Sequence, residues 1–240
     1  MDSAQTYTTV VLTFWCVQIL LNWMIPCATG KSFMKDNGEE ASFQPANFTF
    51  SIWSTIYTTG LVLWILMMTG SVAPFYYTAS YFLILVTTVL NPLWILFYIN
   101  ERKSLALLDL FFLASALVCV FVLEFIHSDI YTVNVIGIYS TWSITALLLS
   151  VNTRFGNGFL LEFASLSALI LLQVSALLTV ALEYSSQDNG YKLFSVVLTA
   201  LWICIGVLYK HKEDAVVKVY FASNLCVCVA FFTWFFVVFF

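Results

Sequence analysis

Charge is scarce in this chain, and histidine is scarcer still. Only 9% of its 240 residues are charged and two are histidine, whereas 62% are apolar. A soluble domain of this length cannot bury so much apolar surface, because its surface-to-volume ratio limits the size of the core. The mean hydropathy of +0.95 is instead typical of a multi-pass membrane protein.

Several functional classes are excluded by what is missing. Nine Lys and Arg against 13 Asp and Glu give a net charge of -4, so no nucleic-acid partner is expected. His127, His211 and both arginines fall in connections between apolar runs, which excludes a membrane cytochrome and an arginine voltage sensor. The six cysteines form no CxxC pair and have no histidine beside them, so they are interpreted as small apolar residues and no metal site is predicted.

Apolar runs of about 20 residues, the length that a bilayer core requires, recur along the whole chain. They predict an all-α integral membrane protein with about eight transmembrane helices. The predicted spans are Thr8–Pro26, Ala46–Thr69, Tyr76–Ile99, Ser104–Ile126, Tyr131–Asn152, Phe159–Glu183, Tyr191–Tyr209 and Val216–Phe240.

The basic residues predict how these spans are oriented. With eight spans, every basic residue except Lys192 falls in or beside an odd-numbered connection. Because basic residues are retained on the cytoplasmic side, the odd-numbered loops are predicted to be cytoplasmic and both termini non-cytoplasmic. The sequence does not identify which cellular membrane holds the protein.

Three spans carry faces that combine aromatic rings, one small residue and hydrogen-bonding groups, as a helix of 3.6 residues per turn displays them. Such a surface suits a flat apolar ligand with polar edges, although helix packing and interfacial belts use the same residues. The ligand-binding candidates on these faces are Trp53, Tyr57, Gly60, Asn91, Trp94, Tyr139, Trp142 and Ala146.

Two further features bear on function. The first connection, Cys27–Pro45, is the longest loop of the predicted bundle, and it is either a lid over the aromatic face of the second span or a plain solvated linker. Asp109 lies within about one and a half turns of the start of the fourth span, and solvation or a helix-dipole role is favoured over a proton relay. No nucleophile with a neighbouring base is visible, so no catalytic residue is predicted and catalysis stays open.

The run FQPANFTFSIWSTIY, from Phe43 to Tyr57, resembles the loop-to-helix motif of the tryptophan-rich sensory protein or translocator protein family (TspO/MBR), in its long form. The run NPLW from Asn91, the run LALLD from Leu105, and the Tyr139, Trp142 and Ala146 spacing resemble the family's third, fourth and fifth helices. These matches cover about the first 155 residues.

The resemblance implies a five-helix bundle at residues 1–155 and a three-helix C-terminal extension at 156–240, of unknown role. It also implies a cavity for haem or another tetrapyrrole, or for a sterol, lined or supported by the aromatic candidates together with Asn91 and Ala146. The chain departs from the family where Ser150 replaces an Asn and Phe97-Tyr98 replaces a Trp-His pair. The polar contacts of a tetrapyrrole are therefore expected to differ from those of the family.

Two functions follow from these patterns. The first is a membrane receptor or carrier that binds a flat hydrophobic ligand by stacking on Trp53, Trp94 and Trp142, with Tyr57, Asn91 and Tyr139 at its polar edge. The alternative is a structural or assembly subunit of a larger membrane complex, or a homodimer, in which the aromatic faces serve only helix packing.

Overall fold

The computed structural model describes residues 3–29, 44–125, 127–155, 192 and 194–213. These residues form six α-helices and one 3-10 helix, with no strand among them, which confirms the all-α class. The 3-10 helix is Asn47–Ser51, and it leads directly into α2. The α-helices are α1 (Ser3–Thr29), α2 (Ile52–Met68), α3 (Thr78–Ile99), α4 (Lys103–Phe125), α5 (Ile130–Phe155) and α6 (Phe194–Lys210).

Five helical segments among the described residues are long and apolar enough to cross a membrane. They are Ser3–Thr29, Asn47–Met68, Thr78–Ile99, Lys103–Phe125 and Ile130–Val151. Helix α6 lies in the predicted seventh span but has only 17 residues. The predicted sixth and eighth spans, at 159–183 and 216–240, lie outside the described residues. The structure therefore supports five spans and does not support the predicted count of eight.

Helices α2, α3 and α5 all contribute side chains to one buried core. Helix α3 lies against α1 and α4, whereas α5 lies against α2, α4 and α6. Helix α1 also contacts α2, and it leaves large apolar side chains exposed, such as Trp23 at 69%. An apolar helix face without protein cover is what contact with lipid requires.

Helices α2 and α3 end in the same way, with a left-handed residue followed by a backbone N–H that bonds back to the last turn. In α2, Gly70 takes a left-handed conformation (φ 72°), and the next N–H, of Ser71, donates to the Leu66 carbonyl at 2.9 Å. In α3, Glu101 takes that conformation (φ 59°), and the N–H of Arg102 donates to the Phe97 carbonyl at 2.9 Å. This geometry satisfies the last carbonyls of a helix and fixes where each span ends.

A buried carboxylate at the end of α4 holds the start of α3. Glu124 has no exposed surface, and its side chain accepts hydrogen bonds from the backbone N–H groups of Tyr76 (3.0 Å) and Tyr77 (3.2 Å). The hydroxyls of Ser80 and Ser128 donate to the same carboxylate. Glu124 thereby supplies the acceptor that the first turn of α3 needs, since Tyr77 at its N-cap makes no side-chain cap.

Candidate ligand-binding site

The Trp53 ring on α2 is the centre of an aromatic cluster. Its centroid lies 5.7 Å from that of Trp94 on α3, and 6.2 Å and 6.1 Å from those of Tyr139 and Trp142 on α5. Tyr57, one turn along α2, stacks on Trp53 at 5.8 Å. The predicted aromatic faces of three spans therefore meet, and these five residues are called the aromatic cluster below.

The rings of the cluster differ in burial. Trp94, Tyr139 and Trp142 are buried, whereas Trp53 and Tyr57 keep part of their surface exposed. Because Trp53 meets Tyr139 and Trp142 nearly edge to face, each contact contributes about 1 kcal/mol beyond buried area. Trp53 and Tyr57 are therefore the members of the cluster with surface left open.

A hydrogen-bonded network lies beside the aromatic cluster. The Asn91 amide donates to the Tyr139 hydroxyl at 2.7 Å, and the Tyr57 hydroxyl donates to Asn91 Oδ1 at 3.2 Å. Two residues of α1 complete it: Asn22 Nδ2 lies 2.5 Å from the Tyr57 hydroxyl and 2.7 Å from Asn91 Oδ1, and Gln18 Nε2 donates to the Tyr139 hydroxyl at 3.4 Å. The three polar groups expected at a ligand edge thus bond one another and α1.

Helix α1 contributes residues to the candidate site that are not among the residues predicted from the sequence. The signal was present, because Trp15, Gln18 and Asn22 recur at the three- and four-residue spacing of one helix face. Trp15 is buried, donates from Nε1 to the Tyr57 carbonyl at 3.2 Å, and meets the Tyr139 ring at 5.9 Å. An aromatic and two amides on one face distinguish that face from the lipid-facing remainder of the helix.

The small residues of the predicted site lie in the packed core. The space beside Gly60 is filled by the Trp15 indole, which a Cβ at Gly60 would overlap. The structure therefore gives Gly60 a role in the close approach of α1 and α2, and its contact with a ligand stays a prediction. Ala146 is buried in the core one turn after Trp142, and its ligand contact likewise stays a prediction.

Asp109 is buried on α4, with 7% of its surface exposed. Solvation, one of the two expectations for Asp109, is wrong, because α4 packs against α3 and α5 and the side chain is buried. The Oδ2 atom of Asp109 has no hydrogen-bond partner among the described residues. The helix-dipole role stays a prediction.

Helix α6 holds the 3-10 helix that leads into the aromatic face. The Ala46 N–H donates to the Gly206 carbonyl at 3.0 Å, and Trp202 Nε1 donates to the Thr49 carbonyl at 3.1 Å. The ring of Phe48 packs at 5.4 Å from that of Trp202. Part of the predicted extension thus positions the loop-to-helix motif, a role that the sequence did not reveal.

Beyond the motif, His211 Nε2 lies 2.9 Å from the carbonyl oxygen of Gln44, at the end of the first connection. Residues 30–43, which make up most of the predicted lid, lie outside the described residues. The choice between lid and linker therefore stays a prediction.

We expect Gly206→Val to lower the free energy of unfolding by about 2 kcal/mol, because a side chain at this position overlaps Thr49. The apparent melting temperature in detergent should then fall by about 4–8 °C. Thr49→Ala in the Gly206→Val background should recover part of that loss, whereas Ile205→Val on the exposed side of α6 should change it little. An unchanged melting temperature in Gly206→Val would contradict the contact between α6 and the 3-10 helix.

A family model described as TSPO-like protein matches residues 5–237 of the chain. No curated protein and no solved structure gives a match. The matched range begins in α1 and continues well past α5, so it includes α6 as well as the helices that carry the aromatic cluster.

Proposed function

This chain belongs to the TSPO-like protein family, and from that premise we propose that it is a membrane receptor or carrier for a flat hydrophobic ligand, such as a tetrapyrrole or a sterol. The family match confirms the resemblance first seen in the loop-to-helix motif. The chain is an integral, multi-pass, all-α membrane protein, with five candidate spans in its described part. The ligand and its binding residues are the proposed part.

The observation that carries the proposal is the aromatic cluster. Rings from α2, α3 and α5 meet within 5.7–6.2 Å of Trp53, and the Asn91 network lies beside them. Flat rings supply stacking surface, and the hydroxyl and amide groups supply an edge that orients a ligand. Stacking that buries roughly 300 Å² of ligand at about 25 cal/mol per Å² supports micromolar affinity after ordering costs.

A tetrapyrrole in the aromatic cluster would have no histidine axial ligand from the described part of the chain. Both histidines lie outside the helices that carry the cluster: His127 follows α4, and His211 follows α6. No histidine among the described residues is therefore placed to be an axial ligand of haem iron in the cluster. A metal-free porphyrin needs no axial ligand, which makes protoporphyrin IX the probe to use first.

We expect protoporphyrin IX to quench the tryptophan fluorescence of the detergent-purified protein saturably, with a dissociation constant in the micromolar range. Trp53→Leu and Trp142→Leu should each raise that constant about fivefold, because each removes a stacking or supporting ring. Each substitution also removes a fluorophore and so lowers the total emission. The dissociation constant is therefore taken from the ligand concentration dependence of the quenching and not from its amplitude.

Trp23→Leu is the matched control for this titration. It removes the same ring from α1, where Trp23 is 69% exposed and outside the aromatic cluster. The dissociation constant should equal that of the unsubstituted protein. Quenching that does not saturate, or equal constants in Trp53→Leu and Trp23→Leu, would remove the proposal.

A structural or assembly subunit is the second candidate, favoured by the close contacts among the rings themselves. Phe50 also meets Trp142, at 5.5 Å, so the cluster already has the geometry of helix packing. Purification in a mild detergent separates the two functions. A stoichiometric protein complex, or a homodimer, that contains lipid but no extractable pigment supports the second candidate.

We also propose the finer topology: about eight spans, with cytoplasmic odd-numbered connections and both termini on the opposite side. Its support is the distribution of charge, since Lys192 is the one basic residue that this arrangement places across the membrane from the others. The apolar composition of α6 agrees with its place in the seventh span.

A further inference from the structure

Two amides of α1 have more hydrogen-bonding capacity than the described residues use. Gln18 has no exposed surface, and its Oε1 atom is buried without a hydrogen-bond partner in the described part of the chain. The Oδ1 atom of Asn22 is buried and unpartnered in the same way. A buried polar atom without a partner raises the free energy of the folded protein, because it has lost its hydrogen bonds to water. A ligand group that bonds this atom recovers that free energy on binding.

The unpaired amide atoms of Gln18 and Asn22 lie next to the polar edge of the proposed site, which Tyr57, Asn91 and Tyr139 form. The nitrogens of the same amides bond the hydroxyls of Tyr57 and Tyr139, which also bond Asn91. Tyr57 is one of the two partly exposed members of the aromatic cluster. A ligand that stacks on Trp53 and Tyr57 therefore has its edge close to Asn22.

The chemistry of the missing partner follows from the amides. Rotation of an amide by 180° exchanges its oxygen and nitrogen, and for Asn22 it requires that Asn91 rotate as well, because two amide oxygens would otherwise face each other. In either arrangement each amide of α1 keeps one unpaired end. A carbonyl oxygen satisfies only an N–H, and an ammonium group satisfies only an oxygen. A hydroxyl both donates and accepts, so it satisfies the unpaired end in either orientation.

We infer that Gln18 and Asn22 of α1 determine the specificity of the site, selecting flat apolar ligands that carry a hydroxyl group over those of the same shape that lack one. This inference rests on the proposed function, since it requires that the aromatic cluster bind a ligand. It assigns the polar edge of the site to α1 as well as to α2, α3 and α5.

The test compares two probes of nearly equal shape, 1-pyrenemethanol and 1-methylpyrene, by energy transfer from tryptophan to pyrene in detergent. The unsubstituted protein should bind 1-pyrenemethanol about tenfold more tightly, because the methyl probe leaves the buried amide ends unpaired. Asn22→Leu and Gln18→Leu should each reduce this ratio several-fold, because leucine removes the amide that the hydroxyl of the probe would bond.

Thr13→Val is the matched control, because it removes a hydroxyl from an exposed position of the same helix. It should keep the tenfold ratio. If the unsubstituted protein binds both probes equally, or if the ratio persists in both leucine variants, the inference is overturned and the proposed function stands. If neither probe binds, the inference is overturned, and the proposed function fails as well if protoporphyrin IX also gives no saturable quenching.

Discussion

Replacing Gly60 by valine is expected to lower the free energy of unfolding by about 3 kcal/mol, because the position of the new side chain is already occupied by the Trp15 indole. That ring is held on several sides. It donates to the Tyr57 carbonyl, and its centroid lies 6.0 Å from that of Trp64 and 5.9 Å from that of Tyr139. It can move only by breaking these contacts, so α1 and α2 must separate.

Thermal unfolding in detergent measures this effect, and a loss of 3 kcal/mol corresponds to a decrease of about 6–12 °C. Thr58→Val introduces the same side chain at an exposed position of α2 and should leave the melting temperature nearly unchanged. Combining Gly60→Val with Trp15→Ala should destabilise less than the sum of the two single changes, because the ring that clashes is gone. Additive losses would show that Gly60 and Trp15 are not in contact.

Glu124→Leu is expected to lower the free energy of unfolding by about 4 kcal/mol. The substitution removes the acceptor for the backbone N–H groups of Tyr76 and Tyr77, and it leaves both without that partner at the start of α3. It also removes the partner of the Ser80 and Ser128 hydroxyls. Glu124→Gln keeps one acceptor oxygen and should lose about half as much.

Two measurements distinguish this effect from general damage. Glu124→Leu should lower the melting temperature more than Glu124→Gln does. Hydrogen exchange should accelerate first at the backbone amides of residues 76 and 77. Glu101→Leu makes the same change at an exposed carboxylate and should alter stability by less than about 0.5 kcal/mol. Equal losses in Glu101→Leu and Glu124→Leu would contradict the capping role.

The spacing of residues along single helices predicted much of the candidate site. The faces that carry Trp53, Trp94 and Trp142 were read from helical periodicity, and their rings meet in the structure. Periodicity fixes which residues share a face, but it does not fix which helix that face meets. For that reason Gly60 was interpreted as part of a ligand surface, whereas it accommodates Trp15 of α1.

The contacts between helices are the features of the candidate site that could not be predicted from the sequence. Helical spacing puts Gln18 and Asn22 on one face of α1, but only the approach of α1 to α2, α3 and α5 gives them partners. Asp109 read as solvated because it lies near a helix start, and the packing around α4 buries it. Sequence position along a span estimates depth, but it does not report which neighbours cover a residue.

The attachment of α6 to the 3-10 helix also sets an order of events during synthesis. The hydrogen bond from Trp202 to Thr49 joins residues 153 positions apart. A ribosome that adds roughly 5–20 residues per second needs on the order of ten seconds or more to make the intervening chain. The start of α2 is therefore made well before Trp202, so until then the 3-10 helix lacks the helix that holds it in the folded protein.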